Sequence, residues 1–129
     1  MDELLVFPGI EALVVDLFNT ELTQRMPTVH SSTKVPTERP AEFVRVARIG
    51  GSRESLISEN AWITVEAYAT SEKRADEILS LARAILNAQS GQLFGCTEIS
   101  GPNNLPDPTT SGVRYTQNFG IRSRATVLE

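Results

Sequence analysis

One cysteine and one histidine in 129 residues leave little material for an active site. A lone Cys96 forms no intramolecular disulfide, which fits a reducing compartment. One His and one Cys complete none of the usual zinc ligand sets. Asp107, between Pro106 and Pro108, offers one carboxylate where a cation needs several. Nucleophilic catalysis requires a Ser, Cys or Thr beside a base. His30 lies in a polar segment, no histidine is near Cys96 in sequence, and no Gly-x-Ser-x-Gly elbow occurs. Gly50-Gly51 lacks the Gly-Lys-Ser/Thr ending of a phosphate loop and the three-glycine dinucleotide pattern, so it reads as a tight turn. No catalytic, metal or cofactor residues are expected, and the chain does not read as an enzyme.

Surplus positive charge is missing too. Twelve basic residues against sixteen acidic ones give a formal net charge of −4. That argues against bulk binding to DNA, which needs a basic surface to release counterions, but leaves room for a local basic stripe. No apolar run approaches the ~20 residues of a membrane span. The opening MDELLVFPGIEAL begins with acids and lacks the positive n-region of a signal peptide. A soluble protein made in the cytoplasm, with no membrane partner, is the expectation.

What is present is enough to fold. The chain is 40% hydrophobic and 22% charged, without low-complexity stretches. Its length suits one domain over residues 1–129, burying roughly two thirds of the unfolded surface.

Pro8 to Leu22 reads as a helix, with Pro8 in its first turn and Ile10, Leu13, Val14, Leu17 and Phe18 on one stripe. Asp16 and Asn19 point away, and Pro27 bars continuation. Residues 23–42 are polar, contain three prolines and have no clear period, so they read as an arm, with a short strand near Thr28 to His30 at most. Phe43–Ile49 alternates as a strand that Gly50-Gly51-Ser52 breaks, and residues 50–60 form a long connection. Trp62–Ala69 is the clearest strand, with Ile63, Val65 and Ala67 on one face and Trp62, Thr64, Glu66 and Tyr68 on the other. Ser71 is the expected N-cap of a helix to about Gln89, closed by Gly91 in the left-handed conformation. A weaker strand at Phe94–Ser100, a loop stiffened by Pro102, Pro106 and Pro108, and a long strand from Val113 to Val127 complete the chain. In the last strand Arg114, Arg122 and Arg124 share a face. The expected fold is α+β, a two-layer sandwich: a mostly antiparallel sheet of about four strands with two helices on one face.

Two groups on the uncovered face draw attention. Trp62, Glu66 and Tyr68 point outward, which suits either a subunit interface or a core covered by the folded-back arm. The row Arg114, Arg122 and Arg124, with Arg45 beside it, suits cross-strand pairing with Glu66 and other acids, or else an interface or a channel facing DNA.

The order of these elements carries a resemblance. The helix at 8–22, FVRVARIGGS, ENAWITVEAYATSEKRADEILSLARAIL and SGPNNLPDPTTSGVRYTQNFGIRSR together resemble the tail terminator proteins of long-tailed, siphovirus-type bacteriophages, especially those of actinobacterial phages. The likeness covers about three quarters of the chain in pattern and order, with the arm matching least. It implies a lambda-type terminator fold and a structural virion protein in the neck region of the tail. It further implies a homo-oligomeric ring, a hexamer, that caps the head-proximal end of the tail tube, stops its polymerisation and docks to the head. The implied partners are further copies of the chain, the tail tube protein, a head-side connector or stopper, and DNA passing through the lumen without sequence recognition. A head-side stopper, a tail-completion adaptor or a small α+β ligand-binding domain are the competing readings.

Overall fold

The computed structural model describes residues 3–128. Helix α1 (Ile10–Arg25) starts after an extended Gly9, so Pro8 stands before the helix and not in its first turn. Ile10, Val14, Phe18 and Leu22 recur every four residues and are all buried, with Leu13 and Leu17 at the margin of the core. The helix runs one turn beyond the expected end, to Arg25, whose guanidinium pairs with Glu21. Helix α2 (Glu72–Asn87) begins as its sequence dictates, with the Ser71 hydroxyl accepting from the Arg74 N–H at 3.2 Å. It closes on Ala88, whose N–H reaches the Ile85 carbonyl while the Gln89 N–H reaches that of Leu86; Gly91 does not take the left-handed conformation.

Among the described residues seven strands accompany the helices: β1 (Leu5–Val6), β2 (His30–Ser32), β3 (Phe43–Arg53), β4 (Ser58–Tyr68), β5 (Leu93–Asn104), β6 (Arg114–Arg124) and β7 (Thr126–Val127). Five form one sheet in the order β2-β3-β4-β6-β5, with β2 parallel to β3 and the other neighbours antiparallel. β1 and β7 make a separate two-stranded ribbon that joins the two ends of the chain. The fold is therefore α+β as expected, but with five strands in the main sheet instead of four.

Both helices cover one face of the sheet, α1 over β2 and β3, α2 over β4, β5 and β6. Val44 and Val46, then Ile63, Val65 and Ala67, then Phe119 and Ile121 meet Ala75, Ile78, Leu79 and Ala82 of α2 and the stripe of α1. Each of the larger side chains contributes about 1.5–3 kcal/mol by leaving water.

Three expectations fail for identifiable reasons. Gly50-Gly51 does not end β3. The pairing shifts between Arg48 and Gly50, a bulge absorbs the extra residue, and the strand continues to Arg53. A Cβ at Gly51 would lie 2.3 Å from the Asn60 carbonyl oxygen, so glycine here permits close strand approach, not a turn. The hairpin connection thus shrinks to residues 54–57. The last strand is also not continuous: Ala125 donates to the Ile57 carbonyl at 2.8 Å, and the chain then leaves the main sheet to pair with β1. Finally, the first half of the arm belongs to the fold. Val29 is fully buried, the Thr23 hydroxyl donates to its carbonyl at 2.6 Å, and β2 follows at once. Asn19, exposed and away from the apolar stripe as expected, donates to the Ser31 carbonyl and accepts from the Ser31 N–H, fixing β2 to α1. Residues 33–42 remain outside regular structure.

Candidate functional site on the outer face of the sheet

Alternation along β4 sends Trp62, Thr64, Glu66 and Tyr68 away from the helices. The face they enter has two unlike ends.

At the Tyr68 end, the Phe43 and Tyr68 rings stack with centroids 4.2 Å apart, because the two residues are directly paired across β3 and β4. The Arg39 guanidinium, brought in by residues 33–42, lies 5.6 and 5.4 Å from the two ring centroids. Glu66 is buried and accepts from Arg45 Nη1 at 3.0 Å, from the Tyr68 hydroxyl at 3.0 Å and from Arg114 Nη1 at 3.1 Å. Arg114 also donates from Nε to the Leu105 carbonyl at 2.9 Å. Beside this group Asp107 accepts from the Thr109 N–H, from Arg39 Nη2 at 2.7 Å and from the Thr110 hydroxyl. The Thr109 N–H and then Arg39 hold its carboxyl down at about 2. Burial, and then the Glu66 charge, push the Tyr68 hydroxyl up. These groups surround a cavity of about 390 Å³.

At the Trp62 end, the indole is 44% exposed and is flanked in register by two glycines, Gly50 on β3 and Gly120 on β6. Neither register partner carries a side chain to lay over it. Arg122 donates to Glu54 at 2.7 Å, and both Arg122 and Arg124 lie over the Phe94 ring at 4.9 and 4.2 Å from its centroid. Arg124 donates to the Gly91 carbonyl and has no carboxylate partner among the described residues. Beyond them Ile49, Leu56 and Ile57 are exposed, as are Leu4, Val6, Val127 and Leu128 of the terminal ribbon. Main-chain hydrogen bonds from Ala125 to Ile57 and from Leu128 to Leu4 bring the terminal ribbon to the β3–β4 connection, at the same apolar end.

The residues singled out in the sequence are thus divided. Trp62 is open to solvent. Glu66 and Tyr68 do face away from the helices, but residues 33–42 and the loop after β5 cover them. Arg114 pairs with Glu66, whereas Arg122 and Arg124 belong to the Trp62 end. Arg39 and Asp107 are not legible as a pair in the sequence, since no periodicity links two charges that sit beside prolines in different loops. Cys96 packs half-buried against the core, and burial and Glu98 push its thiol up to about 11, far from a reactive thiolate. His30 is exposed at the start of β2. Among the described residues no group of three or more His, Cys, Asp or Glu is placed to hold a metal, and no helix is long and apolar enough to cross a membrane.

A sequence model of the phage tail termination proteins matches residues 6–122, from β1 into β6. The chain belongs to that family. No curated protein matches it. Phage tail termination proteins are structural and non-enzymatic. The arm enters the match as well, although it was the segment that resembled a terminator least.

Proposed function

We propose that this phage tail termination protein closes into a ring of six subunits that caps the head-proximal end of the tail tube. The family match over residues 6–122 carries the reading. The cap stops tube polymerisation and presents the surface to which the head-side connector or stopper docks. Its mechanism is geometric: each subunit buries one patch against a different patch on the next, and the rotation closes after a fixed number of copies. The uncovered Trp62 between two glycines and the apolar end formed by Leu56, Ile57 and the terminal ribbon support such a contact, since monomeric soluble proteins seldom expose connected apolar surface. Arg122 and Arg124, near Trp62, serve as interface cations or line the channel through which DNA passes without sequence recognition. Glu66, Tyr68 and Arg114 stiffen the neighbouring half of the face. The particle is a siphovirus-type phage, and the protein sits at its neck.

Labelling the protein and imaging purified virions and tail-only intermediates tests this. Label at one end of free tails and at the neck of whole particles is expected. Label on tail-less heads would assign it to the stopper side instead. Label on none of these would return the chain to a small binding domain.

A further inference from the structure

The cavity at the Tyr68 end holds an imbalance between donors and acceptors. Its two carboxylates are nearly saturated, since Glu66 and Asp107 each accept three hydrogen bonds and a carboxylate takes about four. Its three guanidiniums are not. Each carries five N–H groups, yet among the described residues Arg39 and Arg45 make one hydrogen bond apiece and Arg114 two. The Arg114 side chain is only 16% exposed, so its remaining N–H groups have limited access to water. Three arginines against two carboxylates also leave one surplus positive charge within the cavity. A cavity rich in unused donors, poor in free acceptors and positive by one charge suits a singly charged ligand that only accepts.

We propose that this cavity is a receptor for one carboxylate side chain presented by a neighbouring polypeptide. A guanidinium fork matches the two coplanar oxygens of a carboxylate. A phosphodiester carries the same charge, but in duplex DNA it is flanked by sugars and further phosphates. Here Val35 and Pro108 of the covering loops also line the cavity, and they offer apolar contact to a side-chain stem and no partner for those further groups. The volume of about 390 Å³ accommodates an acidic side chain with water around it. The source is another copy of the chain: sixteen acidic residues against twelve basic ones leave each copy with carboxylates beyond its own pairs, such as the exposed Glu72 and Asp76. That choice of source rests on the proposed ring, whereas the receptor itself does not.

The test is an NMR titration of the arginine Nε–Hε signals of the isolated protein at low salt. The probes are N-acetyl-glutamate amide, dimethyl phosphate and a short DNA duplex. Saturable shifts at Arg45 and Arg114 with the glutamate probe, at a Kd on the order of millimolar, are expected. Arg45→Gln should weaken them about fivefold. Equal, unsaturable shifts at Arg25 and Arg53, which lie away from the cavity, would overturn the proposal. So would tighter binding of dimethyl phosphate or of the duplex. None of these readouts depends on ring assembly, so failure of the ring leaves the titration interpretable.

Discussion

Along the outer face of the sheet, β4 repeats one alternation from Trp62 to Tyr68, and the two ends of that run meet opposite fates. Tyr68 and Glu66 are roofed by Arg39 and the Asp107 loop and tied into a network of ion pairs. Trp62 has glycine on both neighbouring strands and stays open. Alternation decides which face a side chain enters; cross-strand neighbours and returning loops decide whether anything covers it. A buried network ties down one half of the face, and the half it leaves bare is where exposed apolar area remains.

The strongest disturbance should come from the glycine side of this contrast. In Gly51→Ala the new Cβ meets backbone atoms of β4 that do not rotate away, at a φ of +127° that L residues rarely adopt. A loss of about 3 kcal/mol is expected in urea unfolding. A loss below about 0.5 kcal/mol would mean that β3 and β4 separate freely at the bulge, and that Trp62 is not held in place by the strands beneath it. At the covered end, Glu66→Ala strands two guanidiniums and the Tyr68 hydroxyl at once. We expect it to cost about 2–3 kcal/mol, with an unchanged denaturant slope. A neutral Glu66→Ala would erase the difference between the two ends.

How far the sequence reveals this contrast follows from what each kind of signal can reach. The helix stripe at Ile10, Val14 and Phe18, the Ser71 cap and the alternation of Ile63, Val65 and Ala67 are local, and they stand in the structure as their spacing dictates. The outward direction of Trp62, Glu66 and Tyr68 is legible for the same reason. The partner of each is not. Arg39 and Asp107 lie 68 residues apart and meet because two irregular segments cross above Tyr68. Gly50-Gly51 looks like punctuation until the register shows Ala61 and Trp62 opposite, where a bulge needs room. Asn19 reads only as pointing away from the helix stripe, because its bond to Ser31 depends on β2, a three-residue strand too short to carry a period. The apolar end likewise stays hidden, since Ile57 meets the segment leading into the terminal ribbon only through the Ala125 hydrogen bond, 68 residues along the chain.

Trp62→Ala sharpens the comparison by separating folding from assembly. With nearly half its surface already in water, the side chain should contribute only about 1 kcal/mol to folding. If it lies in the subunit contact, assembly measured by sedimentation should weaken at least about tenfold, as for a central aromatic anchor. Unchanged assembly together with a large drop in Tm would place Trp62 in the fold of the subunit and move the contact elsewhere.

The smallest effect is a pH dependence confined to the roof over Tyr68. Asp107 has its carboxyl lowered from 3.8 to about 2 in the folded protein, chiefly by the Thr109 N–H and then by Arg39. A depressed carboxyl stabilises the folded state fully above its unfolded value, and loses that contribution as pH falls through the folded one. The Asp107 contribution should therefore be complete above pH 3.8, decline as acid is added and be absent below about pH 2. Other lowered carboxylates, Glu42 beside Arg74 and Glu98 beside Arg83, titrate as well, so the informative quantity is the difference between the wild type and Asp107→Asn. The variant should start with a slightly lower Tm at neutral pH, and the gap should close on acidification. Parallel Tm curves would mean that Arg39 does not engage Asp107 in solution. The cover over Glu66 and Tyr68 would then be open, and the two ends of the face would be equally available to a partner.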